Sequence, residues 1–251
     1  MKIHIENKLY TCGDIHGNGD ALSWKVQYHN LKDCTLVLLG DVGIFRYRDY
    51  KHYKFLDETC RQLNITIYAL RGNHDNPGFF NDSQNPIISR FWSKFTNIKP
   101  LSDFDVLVYQ NKHILILPGA ISRDRCTRKS WRSNHINVYD YYRGGDWWAK
   151  ETIHPLIDVD VQIDAIMSHN GPRIDFDGNR VPDTFKEQDP HVESDLKEEQ
   201  TKLYEALDKY KPLTWWFGHY HISFTYKLNN TMCRIMDIEE IDEFKFELCE
   251  E

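Results

Sequence analysis

Short apolar segments that run into glycine-containing loops fill the first third of the chain and constrain its fold most. They predict strands at 3–11, 34–39 and 64–70, separated by helices at about 20–31 and 48–62. A continuous apolar run such as 34–39 is typical of a strand that is buried on both faces. The alternation indicates an α/β fold with parallel strands and crossover helices. It places the loops at the carboxyl ends of strands, where such sheets bind ligands.

The rest of the chain predicts a different mixture of elements. We predict hairpins at 105–121 and 222–238, strands at the start of 162–172 and of 214–221, a long exposed loop at 173–190, and a helix at about 191–210. The sequence contains no internal repeat, no low-complexity tract and no visible boundary. Residues 1–251 are therefore expected to form a single domain.

The charge and composition of the chain argue against some partners and cellular locations. A net charge of −7 over 251 residues argues against a duplex nucleic acid partner, because such binding depends on Lys and Arg neutralising phosphates. The six cysteines are scattered and form no CxxC pair, so we expect free thiols in a reducing compartment. Apolar runs such as 114–121 are too short to span a bilayer, and no targeting segment is visible. We therefore expect a cytoplasmic protein without a membrane partner.

Five short segments carry most of the residues that can bind a metal ion, and each follows an apolar run. In chain order they are GDIHGN with Asp14 and His16, GDVG with Asp41, GNHD with Asn73 and His74, SHNGP with His169, and GHYH with His219 and His221. Two divalent ions that hydrolyse a phosphate ester need hard oxygen ligands, imidazoles and one shared carboxylate. Any one segment alone is weak evidence, since an ordinary loop contains such residues, but five in this order are strong evidence together.

This ordered set resembles the calcineurin-like metallophosphoesterase superfamily, whose pattern is DxH, GDxxD, GNH(D/E), H and GHxH. The matching segments run from residue 13 to residue 221. The resemblance implies two packed mixed β-sheets flanked by helices, a four-layer sandwich. It also implies metal-dependent hydrolysis of phosphate esters.

The resemblance assigns a role to each of these residues. The first metal ion would be bound by Asp14, His16, Asp41 and His221. The second would be bound by Asp41, Asn73, His169 and His219, so that Asp41 bridges the two ions. His74 would bind no metal and would act on the substrate as a general acid or a transition-state stabiliser. Two divalent or trivalent ions are expected, with manganese, iron, zinc and nickel as candidates.

One position departs from the family pattern. Ile44 stands where GDxxD has its second acidic residue, which in relatives can orient the catalytic histidine. Asp75, Asp20 or a backbone carbonyl could orient His74 in its place. The departure also argues against close kinship with the Ser/Thr protein phosphatases, because their GDxVDRG segment is missing.

Arginines near two of the strand ends are candidate phosphate ligands. Arg123 and Arg173 could bind a substrate phosphate, as Arg does well, or could belong to an ordinary solvated face, and the sequence favours neither reading. Trp131, Trp147 and Trp148 could stack on a base or a sugar, although such residues more often pack in a core or at its rim.

These patterns together predict a phosphatase or phosphodiesterase that uses a dinuclear metal centre and a hydroxide shared between the two ions as nucleophile. The substrate class stays open between monoesters, cyclic nucleotides, dinucleoside polyphosphates, phosphoproteins and single-stranded nucleic acid, with a small substrate favoured. The alternative is a catalytically inactive scaffold of the same fold that binds other proteins. The complete set of ligands together with His74 favours the enzyme.

Overall fold

The computed structural model describes residues 1–44, 51–75, 77–117, 119–124, 156–172 and 181–248. Within these residues the strands are β1 (Lys2–Ile5), β2 (Lys8–Cys12), β3 (Cys34–Leu38), β4 (Ile65–Ala69), β5 (Ile98–Pro100), β6 (Val106–Tyr109), β7 (Lys112–Ile116), β8 (Ala165–Met167), β9 (Thr214–Phe217), β10 (Phe224–Leu228), β11 (Thr231–Ile235) and β12 (Ile241–Glu243). The helices are α1 (Gly19–Tyr28), α2 (Lys51–Leu63), α3 (Pro77–Asn81), α4 (Pro86–Trp92), α5 (Asp183–Gln188) and α6 (Val192–Tyr210).

The strands form two mixed sheets, and the prediction of two packed mixed sheets flanked by helices is confirmed. The larger sheet has the order β1-β6-β7-β8-β9-β11-β10, and the smaller one has the order β12-β2-β3-β4-β5. Strands β2 to β5 are parallel, whereas β12 pairs antiparallel with β2. The larger sheet combines parallel pairs with the antiparallel hairpins β6–β7 and β10–β11.

The buried side chains show how the layers stack. In β3, Leu36 and Leu38 pack towards α1 and α2, while Val37 joins the core between the two sheets. In β9, Trp216 joins that same central core, while Trp215 packs with Leu203 of α6 on the far side of the larger sheet. This alternation is the two-residue period of a strand. It places α1 and α2 outside the smaller sheet and α6 outside the larger one.

Local sequence accounts for the helix positions. The side chain of Asn18 accepts a hydrogen bond from the Ala21 amide at the start of α1, which caps the helix. Helix α6 buries residues at helical spacing along one face, including Leu203, Ala206 and Leu207. No helix in the described ranges is both long enough and apolar enough to cross a membrane.

The structure differs from the sequence prediction in several elements. The predicted strand at 3–11 is two strands, because β1 pairs with β6 in the larger sheet while β2 pairs with β3 in the smaller one. Part of the predicted loop at 173–190 is helical, as α5, and the remainder up to residue 180 lies outside the described residues. Helices α3 and α4 and strands β5 and β12 were not predicted. They are short, and their sequences carry little periodicity of their own.

Candidate metal centre

The five segments that carry potential metal ligands all lie at strand ends, as predicted. Asp14 and His16 follow β2, Asp41 follows β3, Asn73 and His74 follow β4, His169 follows β8, and His219 and His221 follow β9. The first three strands belong to the smaller sheet and the last two to the larger one. The loops of both sheets therefore meet, and the structure brings together all seven predicted ligands and His74.

One group of ligand atoms comes from the first and last segments. The Nε2 atom of His221 lies 3.0 Å from Asp14 Oδ2 and 3.1 Å from His16 Nε2, and His16 Nε2 lies 3.7 Å from Asp14 Oδ2. Ligand atoms about 2.0–2.2 Å from a shared ion lie roughly 3–3.6 Å from one another. These three side chains therefore have the spacing of a single metal site, and they form one of the groups able to hold an ion.

A second group lies on the other side of Asp41. The Oδ1 atom of Asn73 lies 2.8 Å from His169 Nε2 and 3.1 Å from His219 Nδ1, and these two nitrogens are 3.2 Å apart. The Oδ1 atom of Asp41 completes the group at 3.3 Å from His169 Nε2. Two imidazoles, an amide oxygen and a carboxylate suit a divalent transition metal.

Asp41 lies between the two groups. Its side chain is buried, and its Oδ2 atom points away from His169, towards His16 Nδ1 at 3.9 Å and His74 Nε2 at 3.7 Å. The Nδ1 atom of His16 is buried and, among the described residues, has no hydrogen-bond partner. A buried ring nitrogen without a partner beside a buried carboxylate fits a site built to hold cations.

Outer contacts orient the ligands of the second group. Nδ1 of His169 donates to the Leu39 carbonyl at 2.8 Å, which leaves Nε2 as the atom that faces Asn73 and Asp41. The Nδ2 atom of Asn73 donates to Ser122 Oγ at 2.9 Å, so its Oδ1 turns towards the histidines. Such contacts set the tautomer and ring orientation of metal ligands.

The pKa values at the site follow from burial and from the carboxylates. Burial alone would lower the pKa of His169, but the Asp41 and Asp14 carboxylates outweigh it and raise that pKa to about 10. Burial would raise the pKa of Asp41, but His169 and His74 hold that pKa below its ordinary value. The carboxylates therefore draw positive charge into the site. An ion bound through His169 Nε2 would displace a proton, so metal affinity should increase as the pH rises.

The backbone of the site is strained. Four of the candidate ligands have a left-handed backbone conformation: His16 (φ 44°), Asp41 (φ 45°), His219 (φ 71°) and His221 (φ 53°). For residues other than glycine, such conformations cost about 1–3 kcal/mol each and cluster at functional sites. Gly72 is needed for a different reason, because a Cβ atom there would lie 2.2 Å from Asp41 Oδ1.

The residues considered for orienting His74 have other partners. Asp75 is buried and accepts hydrogen bonds from the amides of Val42, Gly43 and Gly72, so it ties the GDVG loop to the GNHD loop. Asp20 pairs with His52 at the edge of α1. The His74 amide donates to Asp41 Oδ1 at 2.7 Å. Its ring meets the His16 ring edge-on with 5.3 Å between centroids, so His74 lies beside the first ligand group.

Ile44, at the departure from the family pattern, is buried among the side chains under α1 and α2. A side chain at this position is therefore part of the hydrophobic core and does not enter the site.

Of the two candidate phosphate ligands, one can be located. Arg123 is half-buried and lines a small cavity together with His219 and Tyr220. Burial and the charge of His169 hold the pKa of His219 well below its ordinary value, and Arg123 adds to this effect. Arg123 therefore lies near the second ligand group. Arg173 and the three tryptophans Trp131, Trp147 and Trp148 lie outside the described residues.

Sequence reasoning missed the residues that support the ligands. Ser122, Asn170, Glu199 and Tyr220 form hydrogen bonds in and around the ligand loops and are not among the predicted metal ligands. Only Asn170 and Tyr220 gave any sequence signal, since they lie inside the SHNGP and GHYH segments. Glu199 lies on α6, in a stretch of charged residues that looks like a solvated face.

A family model described as calcineurin-like phosphoesterase matches residues 8–223, most of the chain. The chain belongs to this family. Calcineurin-like phosphoesterases act on phosphate esters with metal ions, and the Asp and His clusters of this chain that could hold a metal ion agree with that chemistry. Among curated proteins, none matches the sequence significantly.

Solved structures similar to this chain have low sequence identity to it. A phosphopantetheinyl hydrolase from Mycobacterium tuberculosis is 14% identical with a TM-score of 0.49, over 94% of this chain and 91% of its own. A protein from Thermus thermophilus is 9% identical with a TM-score of 0.48, over 96% and 100%. A dimetal phosphatase from Danio rerio is 12% identical with a TM-score of 0.45, over 93% and 88%.

Proposed function

We propose that this calcineurin-like phosphoesterase hydrolyses phosphate esters, as a phosphatase or a phosphodiesterase, at a dinuclear metal centre. The observation that carries the proposal is the pair of adjacent ligand groups with the buried Asp41 carboxylate between them. A shared carboxylate is what a two-metal phosphoesterase needs to keep both ions close. Since the full ligand set and His74 converge, the proposal of an enzyme is better supported than that of an inactive scaffold.

Each group of residues has a task in this proposal. Asp14, His16 and His221 would hold one ion, Asn73, His169 and His219 would hold the other, and Asp41 would contact both. When bound, the two ions would activate a water molecule at neutral pH and neutralise charge on the phosphate. His74 lies beside these residues, with its Nε2 atom 3.7 Å from Asp41 Oδ2, and in the proposal it would give a proton to the leaving oxygen.

The atoms that would bind the ions favour certain metals, and the charge of the chain favours a certain class of substrate. Three oxygen donors and four imidazoles suit manganese, iron, zinc or nickel. The net charge of −7 argues against nucleic acid as the substrate, so we propose a small phosphate ester.

The proposal is tested by removing and restoring metal. We expect protein stripped with a chelator to be inactive, and reconstitution with Mn²⁺, Fe²⁺, Zn²⁺ or Ni²⁺ to restore two ions per chain and hydrolysis of an aryl phosphate monoester or diester. Metal content is measured by inductively coupled plasma mass spectrometry, and a panel of monoesters, diesters and nucleotides then ranks the substrates. Protein that binds no metal, or that hydrolyses none of the panel when loaded, would leave the scaffold as the better reading.

Replacing Arg123 by Ala tests the phosphate-binding hypothesis. A charged hydrogen bond is worth about 1.5–3 kcal/mol, so we expect inhibition by inorganic phosphate to weaken roughly tenfold or more while metal content stays the same. Arg90→Ala is the matched control, because Arg90 is exposed on α4, on the outside of the fold. An unchanged inhibition constant in Arg123→Ala would assign Arg123 to a solvated face.

A further inference from the structure

Helix α6 buries one carboxylate among its apolar side chains. Glu199 is 2% exposed, on the helix that packs Leu203, Ala206 and Leu207 against the larger sheet. A buried carboxylate costs several kcal/mol unless its oxygens are well paired. Apolar packing alone would not need an acid at this position, so the partners of Glu199 indicate what it does.

The two oxygens of Glu199 bind two different loops of the candidate metal centre. Oε1 accepts a hydrogen bond from the Ile121 amide at 2.8 Å, and Oε2 accepts one from Asn170 Nδ2 at 2.9 Å. Ile121 directly precedes Ser122, the residue that orients the Asn73 amide, and Asn170 directly follows His169. One carboxylate therefore fixes the neighbours of two members of the second ligand group.

Asn170 extends the connection to a third loop. It is 2% exposed, and its Oδ1 atom accepts hydrogen bonds from the Gly171 amide at 2.9 Å and from the Tyr220 hydroxyl at 2.7 Å. Tyr220 stands between His219 and His221, and its ring meets the His219 ring edge-on with 5.0 Å between centroids. The chain Glu199–Asn170–Tyr220 thus joins the loops that carry His169 and His219, and through Ile121 it reaches the loop of Ser122, the hydrogen-bond partner of Asn73.

The Asp14 loop of the first ligand group has a separate support. The Glu239 amide donates to the Asp14 carbonyl at 2.9 Å, and the Gly13 amide donates to the Glu240 carbonyl at 3.0 Å. The turn between β11 and β12 therefore holds the Asp14 loop. Loss of the Glu199 contacts should leave this support intact.

We propose that Glu199 is a positioning residue that, through Asn170 and Tyr220, sets the geometry of the second ligand group more than that of the first, where Tyr220 adjoins His221. The inference rests on the proposed function, because it presupposes that Asn73, His169 and His219 bind an ion. Contacts of this kind outside a metal site typically change affinity by about 10- to 100-fold. Their removal should therefore weaken one of two bound ions selectively.

The hydrogen-bond pattern suggests an exchange that separates this role from simple packing. Glu199→Gln places a side-chain amide opposite the Asn170 amide, and Asn170→Asp places a carboxylate opposite the Glu199 carboxylate. In each single variant, two groups of the same kind therefore face each other where a hydrogen bond was. In the double variant, the amide introduced at position 199 can donate to the carboxylate introduced at position 170, while its oxygen still accepts from Ile121. The introduced carboxylate retains an oxygen for Gly171 and Tyr220, and the net charge is unchanged.

The test measures Mn²⁺ binding to chelator-treated protein by isothermal titration calorimetry and electron paramagnetic resonance. We expect each single variant to weaken one ion about 10- to 100-fold, the same ion that Asn73→Ala loses, and the double variant to regain most of that affinity. Tyr220→Phe removes a hydroxyl only and should weaken the same ion several-fold. It serves as the decisive variant if the double exchange does not fold.

Two controls separate positioning from stability. Glu198→Gln changes an exposed acid one position away and should bind both ions normally. Leu203→Ala lowers the stability of α6 and removes no hydrogen bond to the loops, so its Mn²⁺ affinities should stay unchanged at a temperature where it is folded. A double variant no better than the single ones, or equal losses at both ions, would overturn the inference. Wild-type protein that binds none of Mn²⁺, Fe²⁺, Zn²⁺ and Ni²⁺ would overturn the proposed function as well, whereas two ions bound equally by wild type and variants would overturn the inference alone.

Discussion

Asp41→Asn is expected to lose much of the bound metal and nearly all activity while the fold survives. Asn keeps the size of the side chain and one oxygen, which can still accept the His74 amide hydrogen bond. It removes the negative charge that faces His169 and His16, and it replaces one metal-facing oxygen with an amide nitrogen that cannot bind an ion. Since supporting contacts alone change metal affinity about 10- to 100-fold, loss of a shared ligand should exceed roughly 100-fold.

The measurement compares metal content, rate and thermal unfolding with two other variants. Asp105→Asn alters another buried aspartate, which pairs with the Met1 amino group and the Ser102 amide, and should keep full metal content. Asn73→Ala should deplete the second ligand group selectively, because Asn73 contacts His169 and His219 of that group. Full metal occupancy and a near-normal rate in Asp41→Asn would exclude the shared-ligand role, and equal loss of both ions in Asn73→Ala would exclude the division into two groups.

His74→Ala and His74→Asn should retain both metal ions and reduce kcat by about 100- to 10,000-fold. This range is what a positioned general acid typically contributes. The His74 amide binds Asp41 through the backbone, which both substitutions preserve, so metal binding should not depend on the ring. The loss should be smallest for nitrophenyl esters, whose leaving group departs without a proton, and largest for alkyl esters with a strongly basic leaving oxygen.

The rates of wild type and His74 variants across a series of leaving groups test this assignment. His4→Asn is the control, because His4 is exposed on the edge strand β1. A penalty that is constant across the series would show that His74 gives no proton to the leaving group, and an electrostatic role would replace it. Depleted metal in His74→Ala would instead make His74 a ligand.

The sequence predicted the candidate metal ligands much more completely than the residues that form hydrogen bonds around them. Each ligand follows a strand within a few residues, and strand periodicity together with glycine in the loops is a local signal. Parallel strands end at the same edge of a sheet. The order of strands and loops along the chain was therefore enough to predict that Asp14, Asp41 and Asn73 lie close together. The family pattern supplied the pairing with the later histidines.

The strand prediction at 3–11 failed for a physical reason. Residues on both sides of the Glu6–Asn7 turn favour extended backbone, so the sequence reads as one strand. The segment forms two strands because its two halves pair with different partners: β1 pairs with β6, and β2 pairs with β3. Which sheet a strand joins depends on its hydrogen bonds to distant segments. The local periodicity of the sequence does not show these bonds.

By itself, the sequence determined the order of strands and loops, the residues of the two ligand groups and the chemistry that they favour, because these depend on residue type and on neighbours a few positions away. The tertiary structure decided which sheet each strand joins, that Asp75 binds loop amides, and that Ile44 belongs to the core. It also decided that Glu199 is buried, since its partners Ile121 and Asn170 are 78 and 29 positions away in the chain. A carboxylate in a charged stretch of helix becomes a positioning residue only when folding brings such distant donors to it.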